Sequence, residues 1–224
     1  MADTARVIHP EFAPGCRILA VSDIHGNLPF FRGLLQKVRF TPEDILVLDG
    51  DMLEKGRDSL ALLRYMMELS RTHTVYPICG NCDGLVFRFF ETDELDGRFY
   101  ASYLPQHPES TIRQLADEMG FEDWMDFPGL RAALRERYPE IHAWLAGLPT
   151  ILETEHLVFV HGGVPSLEHM ETLDRWKCMK NDDFRGQGHS FSKYVIVGHW
   201  PVTLYNPKVP SAAPLFDYDR KIIS

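Results

Sequence analysis

Long apolar runs are missing from this sequence. The longest, Ile45-Leu46-Val47-Leu48 and Leu157-Val158-Phe159-Val160, have the length of strands and fall far short of the ~20 residues a membrane-crossing helix needs. The opening stretch "MADTARVIHPEFAPG" holds no uninterrupted apolar segment, so no secretory signal is expected and the cytoplasm is the expected compartment. Cysteine is scarce, with four in 224 residues, and in that compartment the thiols are expected to be reduced. Basic residues are outnumbered, 23 Lys and Arg against 32 Asp and Glu, for a formal charge of −9. This balance argues against duplex nucleic acid or an anionic membrane as a partner, because each calls for a broad basic face. It is compatible with a phosphorylated small molecule or a phosphoprotein. No repeat or low-complexity linker divides the chain, and a single domain over 1–224 is expected.

What the chain does have is enough apolar material for a full core, 45% hydrophobic and 12% aromatic residues, in an alternating pattern. "RILAV" (Arg17 to Val21) reads as a buried strand, "LPFFRGLLQKV" (Leu28 to Val38) as a helix and "DILVL" (Asp44 to Leu48) as the next strand. "SLALLRYMMELS" (Ser59 to Ser70) reads as a helix with Ser59 as its cap, and "TVYPI" (Thr74 to Ile78) as a third strand. This β-α-β-α-β order predicts an α/β fold with a largely parallel sheet, whose ligand site lies beyond the carboxyl ends of the strands.

Those ends carry metal-competent groups. The first strand runs into Asp23 and His25, the second into Asp51, and the third into Asn81. Two later runs, "HLVFV" and "KYVIV", deliver His161 and His199 at the same end. Asp23 and His25 are two apart, so on an extended strand they project to the same side. The mixed oxygen and nitrogen set fits two divalent ions sharing a carboxylate, manganese or iron first and zinc or magnesium as alternatives. Paired ions ~3.5–4 Å apart suit hydrolysis of phosphate esters.

In order, "SDIHGN", "GDMLEKGRDS", "GNCD", "HGG" and "GHWP" resemble the motifs of the calcineurin-like metallophosphoesterase superfamily, most closely the branch of PPP-type serine/threonine phosphatases. The resemblance runs from Asp23 to Pro201. It implies a sandwich of two mixed sheets flanked by helices, with Asp23, His25 and Asp51 on a first metal. Asp51, Asn81, His161 and His199 would hold a second, and a bridging hydroxide would attack phosphorus. Where the family has a leaving-group histidine oriented by an aspartate beside an arginine, this chain has Cys82, Glu54 and Lys55. The resemblance therefore assigns Cys82, Glu54 and Asp83 to catalysis, and Lys55 and Asn81 to the substrate. Glu54 and Lys55 also read as an ordinary solvated pair. A compact branch of the superfamily that includes phosphodiesterases and a scaffold protein carries the same "GNCD".

The pair Cys79 and Cys82 also spells C-x-x-C, but Cys16 and Cys178 do not supply a second pair at zinc-hook spacing. Residues 85–149 form an aromatic-rich α-helical insertion, either overhanging the site or packing as a satellite core, the latter being favoured. At the C-terminus the family pattern continues into a further strand, so a truncated chain or an open sheet edge is expected. The residues leave three functions open: a phosphomonoesterase, a phosphodiesterase or dinucleoside-polyphosphate hydrolase, and a metal-bearing binding scaffold.

Overall fold

The computed structural model describes residues 3–91, 97–205 and 211–224; residues 92–96, part of the expected insertion, lie outside them. The described strands are β1 Val7–Ile8, β2 Ile18–Val21, β3 Ile45–Asp49, β4 Thr74–Ile78, β5 Ile151–Glu153, β6 Leu157–Val160, β7 Tyr194–Ile196, β8 Phe216–Asp217 and β9 Ile222–Ile223. The helices are α1 Leu28–Lys37, α2 Ser59–Thr72, α3 Asn81–Glu91, α4 Gly97–Gln106, α5 Thr111–Met119, α6 Phe127–Arg137, α7 Pro139–Gly147, α8 Arg175–Met179 and α9 Val202–Tyr205.

Strands β2, β3 and β4 form a three-stranded sheet, parallel throughout. The second sheet has the order β1-β5-β6-β7-β9-β8 and is mixed, with antiparallel β5/β6 and β8/β9 pairs. Strand β3 is central in its sheet and buried at every position, as a strand covered on both faces must be. Its side chains alternate. Ile45 and Val47 join Ile78, Leu152 and Phe159 between the two sheets, while Leu46 and Leu48 face the helices with Phe31, Leu62, Leu63 and Met66. Full burial of each such side chain stabilises the fold by roughly 1.5–3 kcal/mol. Pro77 is tolerated within β4 because β4 is an edge strand, where a missing N–H costs no ladder bond.

Asp58, not Ser59, holds the N-cap position of α2, without a side-chain capping bond; Ser59 is the first helical residue, buried, and its hydroxyl donates to the Gly56 carbonyl. The helix α5 is bounded by capping residues at both ends: the Ser110 hydroxyl accepts the Arg113 N–H, and Gly120 ends it in the left-handed conformation, φ 70°. The insertion does not form a separate satellite core. Phe89, Phe90, Tyr100, Leu115, Leu134 and Leu145 are continuous with Met52, Leu53 and Leu63 in the main one. The segment after residue 211 supplies β8 and β9, and β9 pairs in parallel with β7 while β8 is the outer strand.

Candidate metal centre

Five strand ends meet at one point. Asp23 and His25 follow β2, Asp51 follows β3, Asn81 follows β4 and opens α3, His161 follows β6, and His199 follows β7. The same-side reasoning for Asp23 and His25 does not hold, because both lie past the end of β2 in left-handed conformations, φ 55° and 47°. Asp51 at φ 49° and His199 at φ 61° share that conformation. A non-glycine residue pays for such a backbone, and clusters of them accompany functional sites. The turns also demand close packing. A Cβ on Gly50 would meet the His161 ring at 2.6 Å, and one on Gly80 would meet the Asp51 nitrogen at 2.1 Å.

Asp51 is the hub. Its Oδ1 accepts the Cys82 N–H at 2.8 Å and lies 3.3 Å from His161 Nε2, while its Oδ2 is 3.8 Å from His25 Nε2. Two groups of ligand atoms, each within 4.8 Å of one another, share it: His25, Asp51 and Cys82, and Asp51, His161 and His199. Asp23 Oδ1 is 3.6 Å from His25 Nε2, and its Oδ2 accepts from the Ser22 hydroxyl and the His199 N–H.

Backbone carbonyls fix the rings. His161 Nδ1 is 2.8 Å from the Asp49 carbonyl and His25 Nδ1 is 3.2 Å from that of Leu53. A carbonyl only accepts, so in the neutral rings Nδ1 carries the proton and Nε2 presents its lone pair to the cluster, the arrangement used around metal-bound histidines. Burial pushes His161 toward neutrality, but the Asp51 carboxylate, backed by Asp23 and Asp49, outweighs it and holds the ring up at about 9. The cluster attracts positive charge at that nitrogen. Among the described residues, His161 Nε2 and Asn81 Oδ1 are buried without hydrogen-bond partners. Convergent carboxylates, imidazole lone pairs and an amide oxygen fit divalent ions.

Not every expected site residue joins the cluster. Asp83 is fully buried and accepts the N–H groups of Met52 (3.1 Å), Leu53 (3.0 Å) and Gly80 (2.9 Å). It braces the turns after β3 and β4. Burial, together with the neighbouring Asp51, pushes its pKa up to about 7. Glu54 is buried too and turned toward the insertion, accepting from the Tyr103 hydroxyl at 2.5 Å and from the Thr111 N–H at 2.8 Å. It is not part of a solvated pair, and among the described residues its hydrogen bonds go to Tyr103 and Thr111 and not to Cys82. Lys55 is exposed, with Nζ 3.0 Å from His25 Nε2. Cys82 is buried; its Sγ accepts from Asn81 Nδ2 at 3.5 Å, and burial with the adjacent Asp51 pushes the thiol up. All four cysteines are free, so Cys79 and Cys82 form no disulfide.

Two residues escaped the sequence reading. Asp182 Oδ1 is 2.7 Å from His199 Nε2, and Tyr103 reaches Glu54 from α4. No local pattern marks either, because both contacts join distant segments.

A sandwich with a cluster of candidate metal ligands at its strand ends is the architecture of a metallophosphoesterase. Residues 16–223 match the family described as calcineurin-like phosphoesterase, and the chain belongs to that family. Among curated relatives, the symmetrical bis(5'-nucleosyl)-tetraphosphatase of Erwinia tasmaniensis is 30% identical over 147 residues, 64% of this chain and 43% of that protein. Its counterpart in Glaesserella parasuis is 42% identical over 64 residues, 28% of this chain and 23% of that protein. The chain thus matches less than half the length of these relatives. Among solved structures, a candidate diadenosine tetraphosphatase superposes with a TM-score of 0.57 at 18% identity, covering 98% of this chain and 86% of the other. A serine/threonine phosphatase from Saccharomyces cerevisiae gives 0.56 at 14% identity, covering 99% and 70%. At these identities the structures share the fold.

Proposed function

We propose that this chain is a metal-dependent hydrolase of phosphoanhydrides, with dinucleoside polyphosphates as its substrate class and a dinuclear centre held by Asp23, His25, Asp51, Asn81, His161 and His199. The observation that carries the choice of substrate is the commitment of both candidate carboxylic acids to the fold: Glu54 to Tyr103 and Thr111, and Asp83 to three backbone N–H groups. Neither is free to protonate a departing alkoxide. A nucleoside diphosphate leaves as a stable anion and needs no such proton, whereas phosphoserine releases an alkoxide that does. The names of the curated relatives support the same substrate class.

Two divalent ions, when bound, supply Lewis-acid polarisation of phosphoryl oxygens and activation of water. The chain's own groups do the positioning. The Leu53 and Asp49 carbonyls orient the His25 and His161 rings, and Asp51 draws both halves of the centre together. The Lys55 ammonium offers a mobile point charge to a polyphosphate. The four free thiols support a reducing compartment such as the cytoplasm.

A substrate panel with manganese, iron, zinc or magnesium tests this reading. Hydrolysis of diadenosine tetraphosphate to two molecules of ADP is expected to be faster than that of an aryl monoester, and phosphoserine is expected to be slowest. Faster cleavage of phosphoserine would return the assignment to the phosphomonoesterases. Metal binding without turnover of any substrate would make the chain a binding scaffold.

A further inference from the structure

The role of Cys82 is the part of the centre that the family pattern does not supply. Its backbone N–H is tied to Asp51 Oδ1 at 2.8 Å, and its side chain lies in the first turn of the eleven-residue helix α3. The ligand atoms of His25, Asp51 and Cys82 lie within 4.8 Å of one another, whereas Asp23 belongs to neither such group among the described residues. Asn81 Nδ2 donates to Cys82 Sγ at 3.5 Å, a contact that holds the sulfur beside the cluster.

Building on the metal centre proposed above, we infer that Cys82 Sγ is itself a metal ligand, completing with His25 and Asp51 a mixed sulfur, nitrogen and oxygen half-site. On binding, the S–H bond breaks, the proton passes to solvent, and the freed electron pair on sulfur bonds the ion; no oxidant or reductant takes part. A thiolate shifts the half-site toward zinc, ferrous iron or cobalt and away from magnesium, which prefers oxygen donors. The second half-site, with Asp51, His161 and His199, keeps oxygen and nitrogen donors alone, so the two halves differ in metal preference.

Cobalt(II) titration of the full chain, followed by absorption, tests the assignment. Coordinated cobalt gives visible ligand-field bands with any donors, and thiolate ligation adds a near-ultraviolet sulfur-to-cobalt charge-transfer band. Both are expected in the unmodified protein. Cys82→Ser should lose the near-ultraviolet band and keep visible bands, whereas Cys16→Ser, away from the cluster, should keep both. Visible bands without a charge-transfer band in the unmodified protein would overturn the thiolate assignment while leaving the metal centre standing, and this outcome does not depend on a variant folding. A charge-transfer band that survives Cys82→Ser would also overturn it. No cobalt bound at all would overturn the metal centre and the thiolate ligand together.

Discussion

The Tyr103 hydroxyl donates to Glu54 Oε2 at 2.5 Å, and through this bond helix α4 of the insertion is fastened to the turn that follows Asp51. The other Glu54 oxygen receives the Thr111 N–H at the start of α5. One buried carboxylate therefore joins two insertion helices to the turn that carries Asp51. Glu54→Ala should destabilise the fold by about 2–4 kcal/mol, since two donors lose their acceptor. Denaturant unfolding checks this, and a loss below about 0.5 kcal/mol would mean the clasp is unimportant.

Glu54 also gives a pH signature. Burial raises its pKa above the ordinary 4.5, against the pull of its Tyr103 and Thr111 bonds. The folded state then holds its proton to higher pH than the unfolded state. Its contribution to stability is greatest below pH 4.5, falls as pH rises toward the folded value, and levels off above it. The stability difference between the unmodified protein and Glu54→Gln should show this slope, because glutamine keeps an acceptor without the charge. A pH-independent difference would contradict it.

Asp83→Ala should cost about 3 kcal/mol or more, because three backbone N–H groups in a buried turn lose their acceptor. Thermal or denaturant unfolding of the metal-free protein reports this separately from activity. A stable variant that had lost only turnover would instead restore Asp83 to the catalytic group.

Asp51→Asn should remove most metal binding and hydrolysis while circular dichroism remains close to that of the parent. Its charge serves both halves of the cluster, and its side chain adds nothing to the apolar core. Elemental analysis after reconstitution and assays of phosphate release and ADP formation check the two effects. Unchanged turnover would show that Asp51 is not shared between the ions.

Asp182 Oδ1 accepts from His199 Nε2, which in the neutral ring leaves the lone pair on Nδ1. Removing such an outer partner commonly lowers metal affinity ~10–100-fold, and Asp182→Ala should do so in a chelator competition. A higher affinity would show that Asp182 competes with the ion for the ring.

Much of this architecture is legible in the sequence where a side chain's place follows from its own segment. Helical spacing and short apolar runs define α1, α2, β2, β3 and β4 to within two residues, and the polar residues after each strand mark the cluster. Ser110 and Gly120 bound α5 by capping chemistry alone. Long-range partners are not legible. Glu54 lies in a motif position that suggests catalysis, yet Tyr103, forty-nine residues away, decides its orientation. The left-handed turns at Asp23 and His25 are likewise hidden: the apolar run ends the strand at Val21, but nothing in "SDIHGN" says how the chain turns beyond it. The short strands β8 and β9 owe their existence to pairing with β7 and to each other, not to any local pattern.

Four cluster residues, Asp23, His25, Asp51 and His199, sit in backbone conformations that side chains ordinarily avoid. Each costs on the order of 1 kcal/mol or more, in a domain whose net stability is of order 5–15 kcal/mol. Robustness and chemistry therefore pull in opposite directions at this end of the sandwich. A glycine at any of the four relaxes the chain and deletes a donor in one stroke, so selection for heat resistance alone would enrich inactive variants here.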